Sequence, residues 1–170
     1  MKYNRHSIRL KGYDYSLCGA YFITICTYDK KKTFGKIIDN KFYESEFGNT
    51  IKEEWFNLKE RFENLETKEF ILMPNHIHGI LLLNTDNSDG DSEKSRQINL
   101  SNIVGAYKSI TSIKCLEFFK KKNPDKFIGK LWQRNYYEHI IRNETEYNKI
   151  GEYIITNPEH WFEDKLNNLP

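Results

Sequence analysis

The stretch that most constrains this chain spans residues 73–83, Met-Pro-Asn-His-Ile-His-Gly-Ile-Leu-Leu-Leu. Two histidines, one residue apart, open a run of aliphatic residues. Side chains of a β-strand alternate between its faces, so His76 and His78 lie on one face and Ile77 on the other. The aliphatic residues that follow cover both faces, which is typical of an inner strand. The pattern predicts a central strand on which two imidazoles converge.

Two interpretations of this histidine pair stay open at the level of the strand. Buried imidazoles are costly unless something satisfies their nitrogens, and a divalent cation would do so. Two hydrogen-bonded core histidines would give the same pattern. The decision between a metal site and a structural pair therefore depends on residues further along the chain.

The length of 170 residues suits one domain, over residues 1–170, with a sizeable core. The three cysteines, Cys18, Cys26 and Cys115, are odd in number and widely spaced, which fits neither a disulfide framework nor a zinc signature. The first ten residues are polar and basic, and no apolar run approaches the length of a membrane span. We therefore expect a soluble, cytoplasmic protein.

The formal net charge of +2 is too small to identify a nucleic-acid-binding protein, but the basic residues are clustered. Lysine runs occur at residues 30–32 and 120–122, and arginines at Arg134 and Arg142. Such patches can follow a phosphate backbone, although lysine runs are more often solvated surface. The aromatic content of 15% would suit stacking on unpaired bases wherever rings are exposed beside these groups.

The remaining pattern predicts strands and helices in alternation. Predicted strands cover residues 20–28, 34–38, 41–43, 68–73 and 127–141, with a hairpin turn at Asp39 and Asn40. Predicted helices cover residues 47–62, 99–122 and 143–157, and Asn143 with Glu146 forms a capping pair at the start of the last. Residues 84–97 are polar and predict a surface loop. This order predicts an α+β fold with a mainly antiparallel sheet.

The last helix carries a second pair of polar residues. Its apolar stripe consists of Tyr147, Ile150 and Ile154, and at about 100° per residue Tyr153 and Asn157 lie along one edge of that stripe, one turn apart. If the stripe packs on the histidine face, one site contains two imidazoles, an amide oxygen and a phenol.

This set of groups predicts phosphoryl-transfer chemistry. Two histidine nitrogens and the amide oxygen of Asn157 would leave positions open on Mg²⁺ or Mn²⁺ for a scissile phosphate. The hydroxyl of Tyr153 could then attack phosphorus, giving a phosphotyrosine and a free deoxyribose hydroxyl, and rejoining would be the reverse reaction. A phenol with an ordinary pKa near ~10 would need activation by the metal or a base.

Other residues compete for these roles. Tyr136 and Tyr137 are rival nucleophiles, but strand alternation sends them to opposite faces, and aromatic packing or base stacking explains them better. His139 is better explained as a hydrogen-bonded strand histidine than as a further ligand. Arginine can grip a phosphate with two hydrogen bonds, so the segment around it is a candidate DNA-contacting edge. The candidate DNA contacts are Trp132, Gln133, Arg134 and Lys149, of which Trp132 also suits a core and Lys149 a solvated surface.

Three motifs resemble those of the REP-associated tyrosine transposases, within the HUH single-tyrosine transposase superfamily. They are Met-Pro-Asn-His-Ile-His at residues 73–78, Leu-Trp-Gln-Arg-Asn-Tyr-Tyr-Glu-His-Ile-Ile-Arg at 131–142, and Glu-Tyr-Ile-Ile-Thr-Asn-Pro at 152–158. Together with the strand near residues 21–27, they extend the resemblance over nearly the whole chain.

The resemblance implies a ferredoxin-like antiparallel sheet with helices on both faces. It also implies His76 and His78 as the metal-binding pair, Asn157 as the third ligand and Tyr153 as the nucleophile. The implied partner is single-stranded DNA from palindromic repeats that fold into hairpins, cut and joined beside the hairpin foot by a monomeric enzyme. Better-known members have longer basic tails, whereas residues 163–170 are partly acidic, so we expect modest affinity for DNA.

Two further classes of function remain open from the sequence. A non-catalytic binder of structured single-stranded nucleic acid would use the same groove, and its binding would survive Tyr153→Phe and ignore metal. A metal-dependent phosphodiesterase would use water as the nucleophile and would retain cleavage in Tyr153→Phe without a covalent intermediate.

Overall fold

The computed structural model describes residues 18–84, 99–125 and 129–167. Six strands are present in this part of the chain: β1 (Gly19–Cys26), β2 (Gly35–Ile38), β3 (Lys41–Glu44), β4 (Leu65–Met73), β5 (His76–Leu83) and β6 (Tyr137–Ile141). Its helices are α1 (Glu46–Phe56), α2 (Leu58–Arg61), α3 (Leu100–Lys122) and α4 (Glu144–Thr156). Two 3-10 helical segments, Tyr28–Lys30 and Asn157–Glu163, follow β1 and α4.

The main sheet places the histidine strand in its interior. Its four strands lie in the order β4-β5-β1-β6, and every neighbouring pair is antiparallel. In the register between β1 and β5, Thr24 lies opposite His78 and Cys26 opposite His76. The predicted central histidine strand and the predicted α+β fold with an antiparallel sheet are therefore confirmed.

Helices cover both faces of this sheet, as expected. The face that carries Ile77 packs against α1 and α3 and forms the larger core, in which Trp55 and Tyr107 are buried. The opposite face carries a smaller cluster, in which Ile80 of β5 packs with Ile154 of α4. The helix that bears Tyr153 thus lies on the histidine face, which is the condition for one site that combines the two imidazoles with Tyr153 and Asn157.

Local turn and cap signals also agree with the sequence. Asp39 and Asn40 have positive φ angles of 50° and 58° in the turn between β2 and β3, so the predicted hairpin is confirmed. The Oδ1 atom of Asn143 accepts a hydrogen bond of 2.9 Å from the backbone N–H of Glu146, which caps α4. The polar loop predicted over residues 84–97 falls, except for Asn84, in residues 85–98, which lie outside the described part of the chain.

The helix predicted over residues 47–62 is two helices. It begins at Glu46, because Ser45 provides the N-cap through a 3.1 Å bond from the Gly48 N–H. The first helix ends at Phe56, and Asn57, with a ψ of −9°, is the C-cap of α1 and the N-cap of α2; its side-chain amide donates to Glu54 at 3.2 Å. The backbone N–H of Asn57 still donates to Glu53, so the break is a local change in backbone angle that the apolar spacing alone does not report.

The strand predicted over residues 127–141 is shorter, since β6 covers only Tyr137–Ile141. Residues 129–136 instead cross the end of β1, where the Tyr28 N–H donates to Leu131 and the Gln133 N–H donates to Cys26. Residues 126–128 lie outside the described ranges. None of the helices in those ranges is long and apolar enough to cross a membrane.

Candidate active site

The side chains of the two histidines of β5 are buried and contact each other on one face of the sheet. His76 is fully buried and His78 is 2% exposed, and their rings lie 4.5 Å apart between centroids in an edge-to-face arrangement. The Nε2 atoms of the two rings are 3.1 Å apart. The strand geometry therefore brings together the two imidazoles that the sequence placed on one face.

The outer nitrogens of both rings have fixed partners. The Nδ1 atom of His76 lies 2.8 Å from Oδ1 of Asn75, in the turn between β4 and β5. The amide nitrogen of Asn75 donates in turn to the carbonyl oxygens of Lys30, at 3.1 Å, and Leu166, at 2.7 Å. The Nδ1 atom of His78 lies 2.7 Å from the Thr24 hydroxyl on β1. Both Nε2 atoms consequently point inward, toward each other.

Burial keeps both rings neutral. It lowers the pKa of His78 to about 3. Burial also holds the pKa of His76 well below its usual range, with smaller contributions from the neighbouring His78 and Lys30. A neutral imidazole retains a lone pair on one ring nitrogen, and this neutral form is the one that ligates metals.

Tyr153 stands at the open edge of this pair. Its side chain is 47% exposed, and its hydroxyl lies 3.4 Å from Nε2 of His78. Its ring packs edge-on against Phe22 at 6.1 Å. Burial raises the pKa of the phenol and the charge of Asp164 raises it further, while a hydrogen bond with Asn157 lowers it. The hydroxyl is therefore protonated near neutral pH and needs help to act as a nucleophile.

Two side-chain oxygen atoms, from Asn157 and Asp164, belong to the same site as the imidazole pair and Tyr153. Asn157 is 3% exposed at the end of α4, and its Oδ1 is buried without a hydrogen-bond partner among the described residues. Asp164 follows the 3-10 segment, and its Oδ2 lies 3.6 Å from Nε2 of His76. Because His76 is neutral, this contact is no ion pair. One ligand atom from each of His76, His78 and Asp164 lies within 4.8 Å of the others.

The sequence missed Asp164. It lies in a partly acidic segment beyond the last predicted helix, and neither helical nor strand period links it to the histidines. Its position depends on the 3-10 segment Asn157–Glu163 and on the Leu166 carbonyl that binds Asn75. The only available signal was a carboxylate seven residues after Asn157, and that signal is too weak to select a ligand.

A cavity of about 720 Å³ opens beside these groups. His78, Tyr153, Asn157 and Asp164 all line it, so one imidazole of the pair, the phenol and the two oxygen-bearing side chains border the same space, with His76 buried behind His78. Tyr137 lines it as well and is 54% exposed, with its ring 6.3 Å from Phe22. The cavity is the place where a substrate would meet the candidate nucleophile.

The rival nucleophiles differ in their packing. Tyr137 lies opposite Thr24 in the register of β1 and β6, on the histidine face, whereas Tyr136 packs partly against the larger core on the other face. Both rings nevertheless border the cavity. Of the described tyrosines, Tyr153 is the one whose hydroxyl the structure places within 3.4 Å of a site histidine.

The predicted DNA contacts lie in different settings. Gln133 lines the cavity, and Arg134 and Lys149 are exposed. Trp132 is only 6% exposed and donates a 2.9 Å hydrogen bond to Thr111 inside the larger core. The structure therefore places Trp132 in the core rather than on a DNA-contacting edge.

The remaining histidines stand apart from the pair. His139 lies 2.7 Å from a carboxylate oxygen of Glu146, which agrees with its interpretation as a hydrogen-bonded strand histidine. His160 is exposed and borders the cavity, and His6 lies outside the described residues.

Comparison with known proteins gives relatives in sequence and in structure. The chain is 39% identical over 171 residues to an uncharacterized protein of Haemophilus influenzae, covering 96% of this chain and 93% of the relative. It is 24% identical over 158 residues to a second protein of that organism, named "Putative REP-associated tyrosine transposase", covering 92% of this chain and 80% of the relative. No protein-family model matches the chain.

Two solved structures share the fold. One is a REP-associated tyrosine transposase bound to a REP hairpin, with a TM-score of 0.63 and 18% identity, covering 97% of this chain and 81% of that one. The other is a crystal structure of a "putative transposase" from Deinococcus radiodurans R1, with a TM-score of 0.51 and 18% identity, covering 88% of this chain and 97% of that one. The resemblance inferred from the three motifs is confirmed by these findings.

Proposed function

Since the chain resembles the REP-associated tyrosine transposases in its motifs, in a sequence relative and in its fold, we propose that it is a transposase that cuts and rejoins single-stranded DNA through Tyr153. The observation that carries the proposal is the 3.4 Å distance between the Tyr153 hydroxyl and Nε2 of His78, at the wall of the cavity. A nucleophile beside two neutral imidazoles is the arrangement that metal-assisted phosphoryl transfer needs.

The donor set fits a divalent ion. Two Nε2 atoms face each other at 3.1 Å, and Oδ1 of Asn157 and Oδ2 of Asp164 are buried without hydrogen-bond partners in the described ranges. Buried polar atoms without partners are costly, and ligation of a cation held by the two imidazoles would satisfy both oxygens. We therefore propose His76, His78 and Asn157 as ligands, with Asp164 as an additional carboxylate. Mg²⁺ or Mn²⁺, when bound, would polarise the scissile phosphate.

The proposed reaction is an exchange of one phosphate ester for another. The phenolic oxygen of Tyr153 forms a bond to phosphorus as the bond from phosphorus to the 3′-oxygen breaks, which gives a 5′-phosphotyrosine and a free 3′-hydroxyl. The phenol gives up one proton and the departing oxygen takes one, so no nucleotide cofactor is needed. Tyr153 is 47% exposed and lines the cavity, so a strand held there can reach this side chain.

The proposed substrate is single-stranded DNA with a hairpin. The structural neighbour with a TM-score of 0.63 is bound to a REP hairpin, and this supports the same class of partner here. Around the nucleophile, Gln133 and the exposed ring of Tyr137 border the cavity and suit contacts with an unpaired base. Arg134 and Lys149 are exposed and are proposed phosphate contacts.

Covalent capture of DNA tests this proposal. Labelled hairpin oligonucleotides from palindromic repeats beside the gene are incubated with Mn²⁺ and separated on a denaturing protein gel. We expect a DNA-bearing protein band that disappears in Tyr153→Phe and with chelator. Tyr137→Phe is the matched control, because it removes the hydroxyl of another exposed tyrosine of the same cavity, and the band should persist.

Each alternative gives a different result. A band that persists in Tyr153→Phe and is lost in Tyr136→Phe or Tyr137→Phe would assign the nucleophile elsewhere. Cleavage that survives Tyr153→Phe without a covalent band would identify a hydrolase. Tight hairpin binding that ignores metal, with no covalent band, would identify a non-catalytic binding protein.

A further inference from the structure

The two site histidines differ in what holds their outer nitrogens. Asn75 donates through its amide nitrogen to the Lys30 and Leu166 carbonyls, which fixes its Oδ1 as the atom facing His76 Nδ1 at 2.8 Å. An amide oxygen only accepts hydrogen bonds. His76 must therefore carry its hydrogen on Nδ1, and because a fully buried imidazole keeps a single hydrogen, its Nε2 is bare.

Thr24 imposes no such restriction on His78. Its hydroxyl lies 2.7 Å from His78 Nδ1, and a hydroxyl both donates and accepts. The contact is therefore satisfied whether His78 Nδ1 is bare or protonated. Thr24 is 7% exposed and borders the cavity, so its hydroxyl hydrogen has room to turn away from the ring.

The contact between the two rings decides the state of His78 when no ion is bound. Two nitrogens at 3.1 Å need a hydrogen between them, and His76 Nε2 has none to give. His78 must then carry its hydrogen on Nε2, and its bare Nδ1 accepts from Thr24. Ligation of a cation by both rings requires both Nε2 atoms to be bare, so His78 must carry its hydrogen on Nδ1 instead.

We propose that Thr24 is a positioning residue that lets His78 change tautomer, its hydroxyl donating to Nδ1 in the metal-free protein and accepting from Nδ1–H when a divalent ion is bound. Asn75 holds His76 in one tautomer throughout. The ring of His78 loses a hydrogen at Nε2 and gains one at Nδ1, so this step releases no net proton. The inference rests on the metal role of the histidine pair in the proposed function.

Nitrogen NMR of the imidazoles tests the change directly. Protein labelled with ¹⁵N-histidine is compared in chelator and with Zn²⁺, a diamagnetic probe. We expect His76 to be protonated on Nδ1 in both states, and His78 to be protonated on Nε2 in chelator and on Nδ1 with Zn²⁺. If His78 keeps one tautomer in both states, the proposal is wrong.

Two variants of Thr24 separate a positioning role from a structural one. Thr24→Val removes the hydroxyl at nearly the same shape, and Thr24→Ser retains it. In the valine variant the buried Nδ1–H of a ligating ring has no acceptor, which costs more than a bare nitrogen without a donor. We expect Thr24→Val to bind Mn²⁺ about tenfold more weakly and Thr24→Ser to stay near wild type, as measured from the EPR signal of free Mn²⁺. Wild-type affinity in folded Thr24→Val would overturn the proposal.

Failure of this inference is distinct from failure of the proposed function. If Mn²⁺ binds and His78 changes tautomer but no hairpin forms a covalent band, the transferase proposal is wrong and the role of Thr24 stands. If the metal-dependent covalent band forms while His78 keeps one tautomer, only the role of Thr24 is wrong.

Discussion

The imidazole pair remains stable because both rings stay uncharged. His76 and His78 are almost fully buried, and their mutual contact accommodates one shared hydrogen but not two positive charges. Each ring also has a hydrogen-bond partner on its outer side, Asn75 or Thr24. The pair is thus held in the neutral form that can ligate a cation, and the energetic cost of that form depends on pH.

Stability of the metal-free protein should fall in mild acid. The folded-state pKa of His78 is about 3 and that of His76 is well below the ordinary value. In the unfolded chain both titrate near ~6.5, so below that pH the unfolded state binds protons that the folded state refuses. The free energy of unfolding should therefore decrease below pH ~6.5 by up to ~1.4 kcal/mol per pH unit for each histidine. Urea denaturation in chelator between neutral and mildly acidic pH measures this slope.

Two variants assign the slope to the buried pair. The double substitution His76→Gln and His78→Gln should flatten the acid limb of the stability curve, whatever it does to stability at neutral pH. His160→Gln removes an exposed histidine, 66% exposed in its side chain, and should leave the slope unchanged. An equal slope in the double variant would show that carboxylates, and not these rings, govern the acid response.

Within a single strand or helix, the spacing of residues along the sequence predicts which side chains share a face. The alternation of β5 predicted that His76 and His78 share a face, and the spacing of α4 predicted that Tyr153 and Asn157 share an edge. These are local properties of a chain with a fixed repeat. Which face of the sheet the stripe of α4 covers was left open by this spacing, and the packing of Ile154 on Ile80 places it on the histidine face.

Features set by contacts between distant segments were not predictable in this way. Asp164 reaches His76 through a 3-10 segment without a useful period. For Trp132 the sequence left both a DNA-contacting edge and the core open, and its ring lies in the core, where Thr111 accepts its N–H. In both cases the position depends on a hydrogen bond or packing contact with residues far along the chain, and the surrounding sequence does not specify it.

The packing of α1 against β5 depends on the absence of one side chain. A Cβ atom added at Gly79 would overlap the Trp55 ring, at a separation closer than van der Waals contact allows. We expect Gly79→Ala to displace Trp55 and to lower the free energy of unfolding by about 1 to 3 kcal/mol. Chemical denaturation measures the change.

Gly105→Ala is the matched control for this substitution. A Cβ at Gly105 meets nothing within 4 Å, and the residue lies inside α3. Alanine is favoured over glycine there by about 0.5 to 1 kcal/mol, so this variant should be stabilised. Equal stability of Gly79→Ala and wild type would mean that β5 and α1 can separate without cost.

Over the whole molecule, the small net charge conceals two different lysine clusters. The loop with Lys30, Lys31 and Lys32 adjoins the site, because the Lys30 carbonyl accepts a hydrogen bond from Asn75 and Lys32 lies 5.8 Å from the ring of Trp161. Residues 120–122 end α3, which packs on the other face of the sheet. A strand held in the cavity would pass near the first cluster and not the second.

Salt dependence of hairpin binding distinguishes these clusters. The logarithm of the binding constant falls with the logarithm of salt concentration by about 0.7 for each phosphate that a protein neutralises on single strands. We expect Lys31→Ala with Lys32→Ala to weaken binding and to reduce this slope by about 1 to 1.5. The matched control, Lys120→Ala with Lys121→Ala, removes the same charge from exposed residues and should leave the slope unchanged. Fluorescence anisotropy with labelled hairpin DNA over a salt series gives both slopes. Equal reductions in the two variants would mean that net charge attracts the DNA, and that no strand follows the loop beside the imidazole pair.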